Sequence, residues 1–224
     1  VYKRQGKYAA KLSSNLLHKN NWNRVGNYTK NTNPKDEALM KKMEEYRPHG
    51  PQYNHFYFLK FAHHQLYTTG GGYEPGGISL SHPGIIQVLE DNQWHIYQDD
   101  IEKITGYSYA DINCLAIDPK DKNHVFAGGR TGLYEFQNGK LKSFYNKDNS
   151  LLMPAVDKGK ELDNAYVPIN GLVFDENQHL WILNNQTKGQ SILELLPDGT
   201  MKSHHQKSLM KNCLLYTSPS PRDA

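Results

Sequence analysis

Cysteine is scarce in this 224-residue chain. There are 2, too few for a disulfide-dense scaffold or a four-thiolate zinc site. Long apolar runs are missing too: no stretch approaches the roughly 20 apolar residues a membrane helix needs, and mean hydropathy is −0.77. Charge of one sign is lacking, with 26 Lys+Arg against 23 Asp+Glu and a net +3. That excess is too small and too scattered for a nucleic-acid binder. No GxSxG element and no HExxH motif occurs. Gly70-Gly71-Gly72 has neither the GxGxxG spacing nor a following Lys-Ser/Thr, so it is no phosphate cradle. What is plentiful points elsewhere. The 15 Tyr against 7 Phe, with 18 Gly and 11 Pro, lean towards strands and turns. A content of 37% hydrophobic and 22% charged residues suits a globular core and not wholesale disorder.

Both ends read as foreign to the fold. Val1-Tyr2-Lys3-Arg4-Gln5 can be coded GTG TAT AAG AGA CAG. The reverse complement, read from its second base, is TGT CTC TTA TAC AC and encodes Cys-Leu-Leu-Tyr-Thr. Those residues stand at Cys213-Leu214-Leu215-Tyr216-Thr217. Residues 1–5 and 213–224 are therefore expected to be sequencing-adapter translation, and Gly6 to Asn212 an internal piece of a longer reading frame. The mild basic excess belongs mostly to those ends, through Lys3, Arg4 and Arg222 against Asp223.

The organisation is a repeat. Residues 6–49 are expected to hold the end of a preceding blade plus a short helical insertion. Over 34–46, Asn33 is a fitting N-cap and Pro34 a fitting first helical residue. Leu39, Met43 and Tyr46 share one helical face. From Gly50 the texture changes to short apolar runs separated by turn residues. Ile112-Asn113-Cys114-Leu115-Ala116-Ile117-Asp118 matches Ile169-Asn170-Gly171-Leu172-Val173-Phe174-Asp175. Val125-Phe126-Ala127 then matches Leu180-Trp181-Ile182, and Leu133-Tyr134-Glu135-Phe136 matches Ile192-Leu193-Glu194-Leu195. A weaker copy precedes both, at 56–61, 66–68, 86–89 and 91–97. Each copy holds four strands, the last two joined at Asp91-Asn92, Asn138-Gly139 or Asp198-Gly199, which are hairpin signals. Tandem four-stranded units are the mark of propeller blades. The expected fold is all-β: a β-propeller fragment of about three four-stranded blades, at 50–111, 112–168 and 169–212, with one short helix near 34–46.

Blade geometry separates two faces. Connections between strands one and two, at 62–64, 119–123 and 176–178, are short. Those between strands two and three and between blades include the long stretches 70–83, 98–111 and 146–168. Long loops on a rigid scaffold carry function, so that face is the expected binding face. Its candidate ligand-binding residues are Tyr73, Glu74, His82, Arg130 and Lys188, with Thr131, Gln186 and Gln190 on the same loops. Other features read as structural. The adjacent pairs His63-His64 and His204-His205 are expected to face solvent, since neighbours on a strand point to opposite faces. Cys114 sits in an apolar strand, and is expected to be a buried thiol. Asp118 and Asp175 recur at one blade position, which suits a turn role. No catalytic residue, no metal site and no cofactor is expected.

Residues 169–182, from Ile169-Asn170-Gly171 through Asp175 to Leu180-Trp181-Ile182, resemble the two-component regulator propeller repeats of bacterial periplasmic sensors. Gln178 stands where those repeats usually have Gly, and Asn184-Asn185 where they have Gly-Thr. The whole stretch 50–203 is closer to the PorZ-type propeller family of the type IX secretion system. Leu66-Tyr67-Thr68-Thr69-Gly70-Gly71-Gly72, Pro83-Gly84-Ile85-Ile86-Gln87-Val88, Trp94-His95-Ile96-Tyr97, Asn123-His124-Val125-Phe126-Ala127-Gly128 and Leu196-Pro197-Asp198-Gly199-Thr200 carry that likeness. The resemblance implies a non-enzymatic, exported propeller in the periplasm or at the outer-membrane surface. It implies partners such as a sortase-like protein or a lipopolysaccharide glycan. The alternative it leaves is the periplasmic ligand-sensing domain of a hybrid two-component histidine kinase that binds oligosaccharides. A propeller lyase or glycosidase needs convergent carboxylates, and Glu74 alone stands in the strand-two-to-three loops named above.

Overall fold

The structure, a computed structural model, describes residues 7–9, 23–25, 50–72, 78–97, 99–157, 160–162 and 165–205. The helix expected at 34–46 and the two foreign ends lie outside the described residues. The chain divides into two compact units, Val1–Gly50 and Pro51–Ala224. In the first, β1 (Lys7–Ala9) pairs antiparallel with β2 (Asn23–Val25), Tyr8 opposite Arg24.

The second unit holds three four-stranded antiparallel meanders. Blade one is β3 (Phe58–Ala62), β4 (Gln65–Gly70), β5 (Ile85–Glu90) and β6 (Gln93–Tyr97). Blade two is β7 (Cys114–Ile117), β8 (His124–Gly128), β9 (Leu133–Gln137) and β10 (Lys140–Tyr145). The connection to blade three carries a small hairpin, β11 (Val156–Asp157) with β12 (Lys160–Glu161). Blade three is β13 (Ile169–Phe174), β14 (Leu180–Asn184), β15 (Ile192–Leu195) and β16 (Met201–Ser203). The first strands are the inner ones: β3 packs on β7 and β7 on β13. This is the blade order of a propeller.

Blade two is covered on both sides, and period-two alternation sorts its side chains. Leu115, Ile117, Val125, Ala127, Tyr134 and Phe136 pack towards blade one, against Tyr67, Ile86 and Val88. Cys114, Ala116, Phe126 and Leu133 turn the other way, against Ile169, Leu180, Ile182 and Leu193 of blade three. Cys114 is 4% exposed, and burial pushes its thiol up to about 12, so it is an inert core residue.

Two hairpin turns follow the sequence signals. Asp91-Asn92 (φ 47° and 61°) and Asn138-Gly139 (φ 52° and 73°) take left-handed backbone at both central positions, the type I′ geometry that matches strand twist. The third differs. Pro197 fixes its own φ, so the β15–β16 connection opens to five residues, closed by Gly199 N–H to Leu196 O at 2.9 Å and Leu196 N–H to Thr200 O at 2.9 Å. His63-His64 falls in the expected connection and faces solvent: the two are the central residues of the β3–β4 turn, at φ 50° and 60°.

Candidate functional site

The long connections gather on one face, as the blade geometry requires. The stretch 99–111 contains a short helix, α1 (Ile101–Thr105), which plugs Ile101 into the core and ends at Gly106 with φ 74°. Beyond it, residues 109–113 run against the β4–β5 loop. Ile112 N–H bonds Gly70 O at 3.2 Å. A Cβ on Gly71 would sit 2.7 Å from Ile112 O, so glycine is what permits that close approach.

Asp111 ties the two loops together. It is fully buried at φ 50°. Its carboxylate accepts the Ser79 hydroxyl and, at 3.1 Å, the His82 backbone N–H. Its own N–H donates to His82 O at 3.0 Å. Arg130, from the β8–β9 turn, reaches in to donate to Ser79 Oγ at 3.4 Å and lies 5.5 Å from the Tyr166 ring centroid. Next to these residues a groove of about 440 Å³ runs between blades one and two, lined by Ser81, Pro83, Asp99, Asp100, Glu102, Ser108, Tyr109 and Arg130. That volume falls in the range of small-molecule sites.

The groove is polar and mixed in sign. Asp99 bonds Lys140 Nζ at 2.8 Å and Leu141 N–H at 2.7 Å, and these hold its carboxyl below the usual value, Lys140 foremost. Glu102 accepts the Tyr109 N–H at 3.0 Å. The Tyr109 hydroxyl is buried with no hydrogen-bond partner among the described residues, and burial drives its pKa well up. Ser79, His82 and Asp111 are the residue types of a hydrolytic triad but not its arrangement. The serine donates straight to the aspartate, while His82 Nδ1 lies 2.9 Å from Gly71 O and its ring stacks on His55 at 4.4 Å. Among the described residues Ser79 bonds Ser81, Asp111 and Arg130 and not an imidazole. What the arrangement offers is a set of hydrogen-bond donors and acceptors along one groove.

Of the residues expected on this face, Arg130 lines the groove. His82 sits beside it, turned towards Gly71. Thr131 is buried and structural, bonding Ser108 O at 2.9 Å and the Tyr134 hydroxyl at 2.5 Å. Lys188 and Gln186 are exposed on the β14–β15 loop, apart from the groove, and Gln190 is half-buried there. Tyr73 and Glu74 lie outside the described residues.

The opposite face holds chemistry that the sequence reading passed over. In blade two, His124 Nδ1 lies 2.9 Å from Asp118 and its Nε2 lies 2.9 Å from Glu135. Lys142 Nζ at 2.7 Å and the Tyr145 hydroxyl at 2.8 Å complete the shell around Glu135. Burial alone would raise the Glu135 pKa, but the bonds from His124, Lys142 and Tyr145 outweigh it and hold it at about 2. The network borders a cleft of about 310 Å³ between blades two and three. Asp118 also makes the turn bond expected of it, accepting Lys120 N–H at 2.8 Å. The pattern recurs in blade three at the same repeat positions, as Asp175, His179 and Glu194. Glu135 and Glu194 share a column of the repeat, which is the signal that could have found them.

Three meanders with adjacent inner strands and one loop-rich face define the class: a β-propeller segment. Among solved structures the chain is similar to PorZ, an essential bacterial surface component of the type IX secretion system of Porphyromonas gingivalis, at 24% identity and a TM-score of 0.59. The match covers 69% of this chain, and the chain spans 20% of that one. The likeness shows the fold. No family model matches the chain, and no curated protein does. Among the described residues no helix is long and apolar enough to cross a membrane.

Proposed function

We propose that this propeller segment is a non-enzymatic binding and scaffold module of an exported bacterial surface protein, an accessory of type IX secretion. The observation that carries the reading is the gathering of the long loops and the Arg130 groove on one face, above blades held rigid by two packed cores. The likeness to PorZ, a surface component of that system, supports the setting and a location at the cell envelope. The mixed groove suits a polyhydroxylated ligand such as a lipopolysaccharide glycan, and the broad loop face suits a sortase-like protein partner. The test is titration of the whole chain with purified lipopolysaccharide. Arg130→Ala is expected to weaken binding about tenfold or more, as loss of an anchor does, while Lys120→Ala on the opposite face leaves it unchanged. Equal affinity in Arg130→Ala and the parent would remove the groove from the reading. A sensory role has one observation in its favour: the Asp and Trp of the two-component repeat pattern are joined here, Trp181 Nε1–H donating to Asp175 at 3.1 Å. A full reading frame that continues into a membrane helix and kinase motifs decides for that role.

A further inference from the structure

Blades two and three carry the same three residue types at matching positions, yet the geometry differs in one decisive way. In blade two the imidazole is a bridge. Asp118 sits on Nδ1 of His124 and Glu135 on Nε2, on opposite sides of the ring. In blade three both carboxylates converge on a single nitrogen. Nδ1 of His179 lies 2.6 Å from Glu194 Oε1 and 3.6 Å from Asp175 Oδ2. All three donor atoms lie within 4.8 Å of one another.

The charge balance differs as well. Glu135 is matched by the Lys142 ammonium at 2.7 Å. Among the described residues, no Lys or Arg nitrogen comes within ion-pair distance of Asp175 or Glu194; their partners are imidazoles. Two carboxylates, one of them with a side chain only 9% exposed, thus face one point with no fixed cation between them. Their outer sides are held. His204 Nε2 lies 2.8 Å from Glu194 Oε2. Asp175 Oδ1 accepts the backbone N–H groups of Asn177 at 2.8 Å and His179 at 2.9 Å. Trp181 also donates at 3.1 Å to Asp175 Oδ2, the oxygen that faces His179, and its ring lies 4.7 Å from that of His204. Outer partners of this kind orient ligating carboxylates in metal sites.

We propose that Asp175, His179 and Glu194 form a binding site for a single divalent transition-metal ion of the zinc class. Zinc takes imidazole nitrogen and carboxylate oxygen at about 2.0–2.2 Å, so the 2.6 Å contact between His179 Nδ1 and Glu194 Oε1 opens as the ion enters between them. The His179 tautomer with its proton on Nε2 presents the Nδ1 lone pair to the ion. His204 positions Glu194 from behind, and solvent completes the coordination. Blade two binds no such ion, because Lys142 already supplies the charge and His124 separates its two carboxylates.

The whole chain, stripped of metal, is titrated with zinc against a chromophoric chelator, and with cobalt for its absorption spectrum. Saturation at one ion per chain is expected. His179→Ala and Glu194→Gln weaken it by about tenfold or more, the order of loss seen when metal-site partners are removed. His63→Ala, on an exposed turn, leaves it unchanged. Zinc also raises the parent's melting temperature, since an ion that binds only the folded state stabilises it. Should Glu194→Gln not fold, Asp175→Asn and the parent's cobalt spectrum decide: imidazole and carboxylate ligation at one site is expected. Unsaturable binding in the parent, or an affinity equal to the parent's in both His179→Ala and Asp175→Asn, overturns the site.

Discussion

His124 is the residue whose ionisation matters most to blade two. Its bond to Glu135 raises its pKa, burial opposes that, and the Asp118 bond adds to the rise. Lys142, Asp121 and, from blade three, Gln178 are the other charged and polar groups around it. The two partners act in opposite pH directions. A histidine raised above its ordinary 6.5 contributes stability that is complete below that value and is lost as pH rises through the folded-state value. A glutamate held at about 2 against an ordinary 4.5 contributes stability that is complete above 4.5 and fades as pH falls towards 2. Their joint contribution therefore peaks between about 4.5 and 6.5. Melting curves of the parent and His124→Gln across pH 4 to 9 are expected to differ most in that window and to draw together above it. Parallel curves would show that the network does not titrate as a unit.

At the scale of the element, turns decide how cleanly each blade forms. The β3–β4 turn places two histidines in left-handed backbone, where a side chain costs roughly 1–2 kcal/mol per residue. His63 is partly compensated by its Nε2 at 2.8 Å from Asp118 O. His64→Gly is expected to stabilise the chain by about 0.5–1 kcal/mol, the αL relief less the entropy glycine adds to the unfolded chain. Chemical denaturation with an unchanged slope checks it, and a lowered midpoint would contradict it. The reverse case is Gly132, at φ 141° with Tyr145 O in the place a Cβ would occupy. The contrast explains what was legible in the sequence. Asn138-Gly139 announces its turn because glycine and asparagine tolerate positive φ, whereas His63-His64 adopts the same turn with no compositional sign. The four strands of each copy were readable because apolar alternation and repeat spacing reinforce each other. The helix α1 was not, since five residues inside a polar loop carry no period. Arg130 could be placed on the loop face by counting strands. The Asp–His–Glu sets show in the sequence only as the shared column of Glu135 and Glu194, because their other members come from turns and strand ends and meet only once the register is known.

The whole molecule is defined by what covers each blade. Blade two has a core on both sides, but blades one and three have an apolar face that remains exposed. On β3, Phe58 and Ala62 turn towards blade two, while Leu59 and Phe61 alternate outward, each 67% exposed. On blade three, Val173 and Leu183 are 58% and 48% exposed. A propeller blade normally buries both faces against its neighbours, and fully burying a Leu or Phe side chain contributes about 1.5–3 kcal/mol. Exposed apolar stripes of this kind favour association or aggregation. The chain on its own is expected to bind an environment-sensitive apolar dye and to sediment as concentration-dependent oligomers. The double substitution Leu59→Lys with Phe61→Lys removes no packed contact with blade two, so it should leave the melting temperature within about 2 °C while reducing both dye binding and association. Should the double variant instead melt far lower, the β3 stripe is part of the packed core and not a free face. If dye binding and sedimentation match the parent's, association runs through Val173 and Leu183, and the corresponding lysine variants on blade three carry the effect.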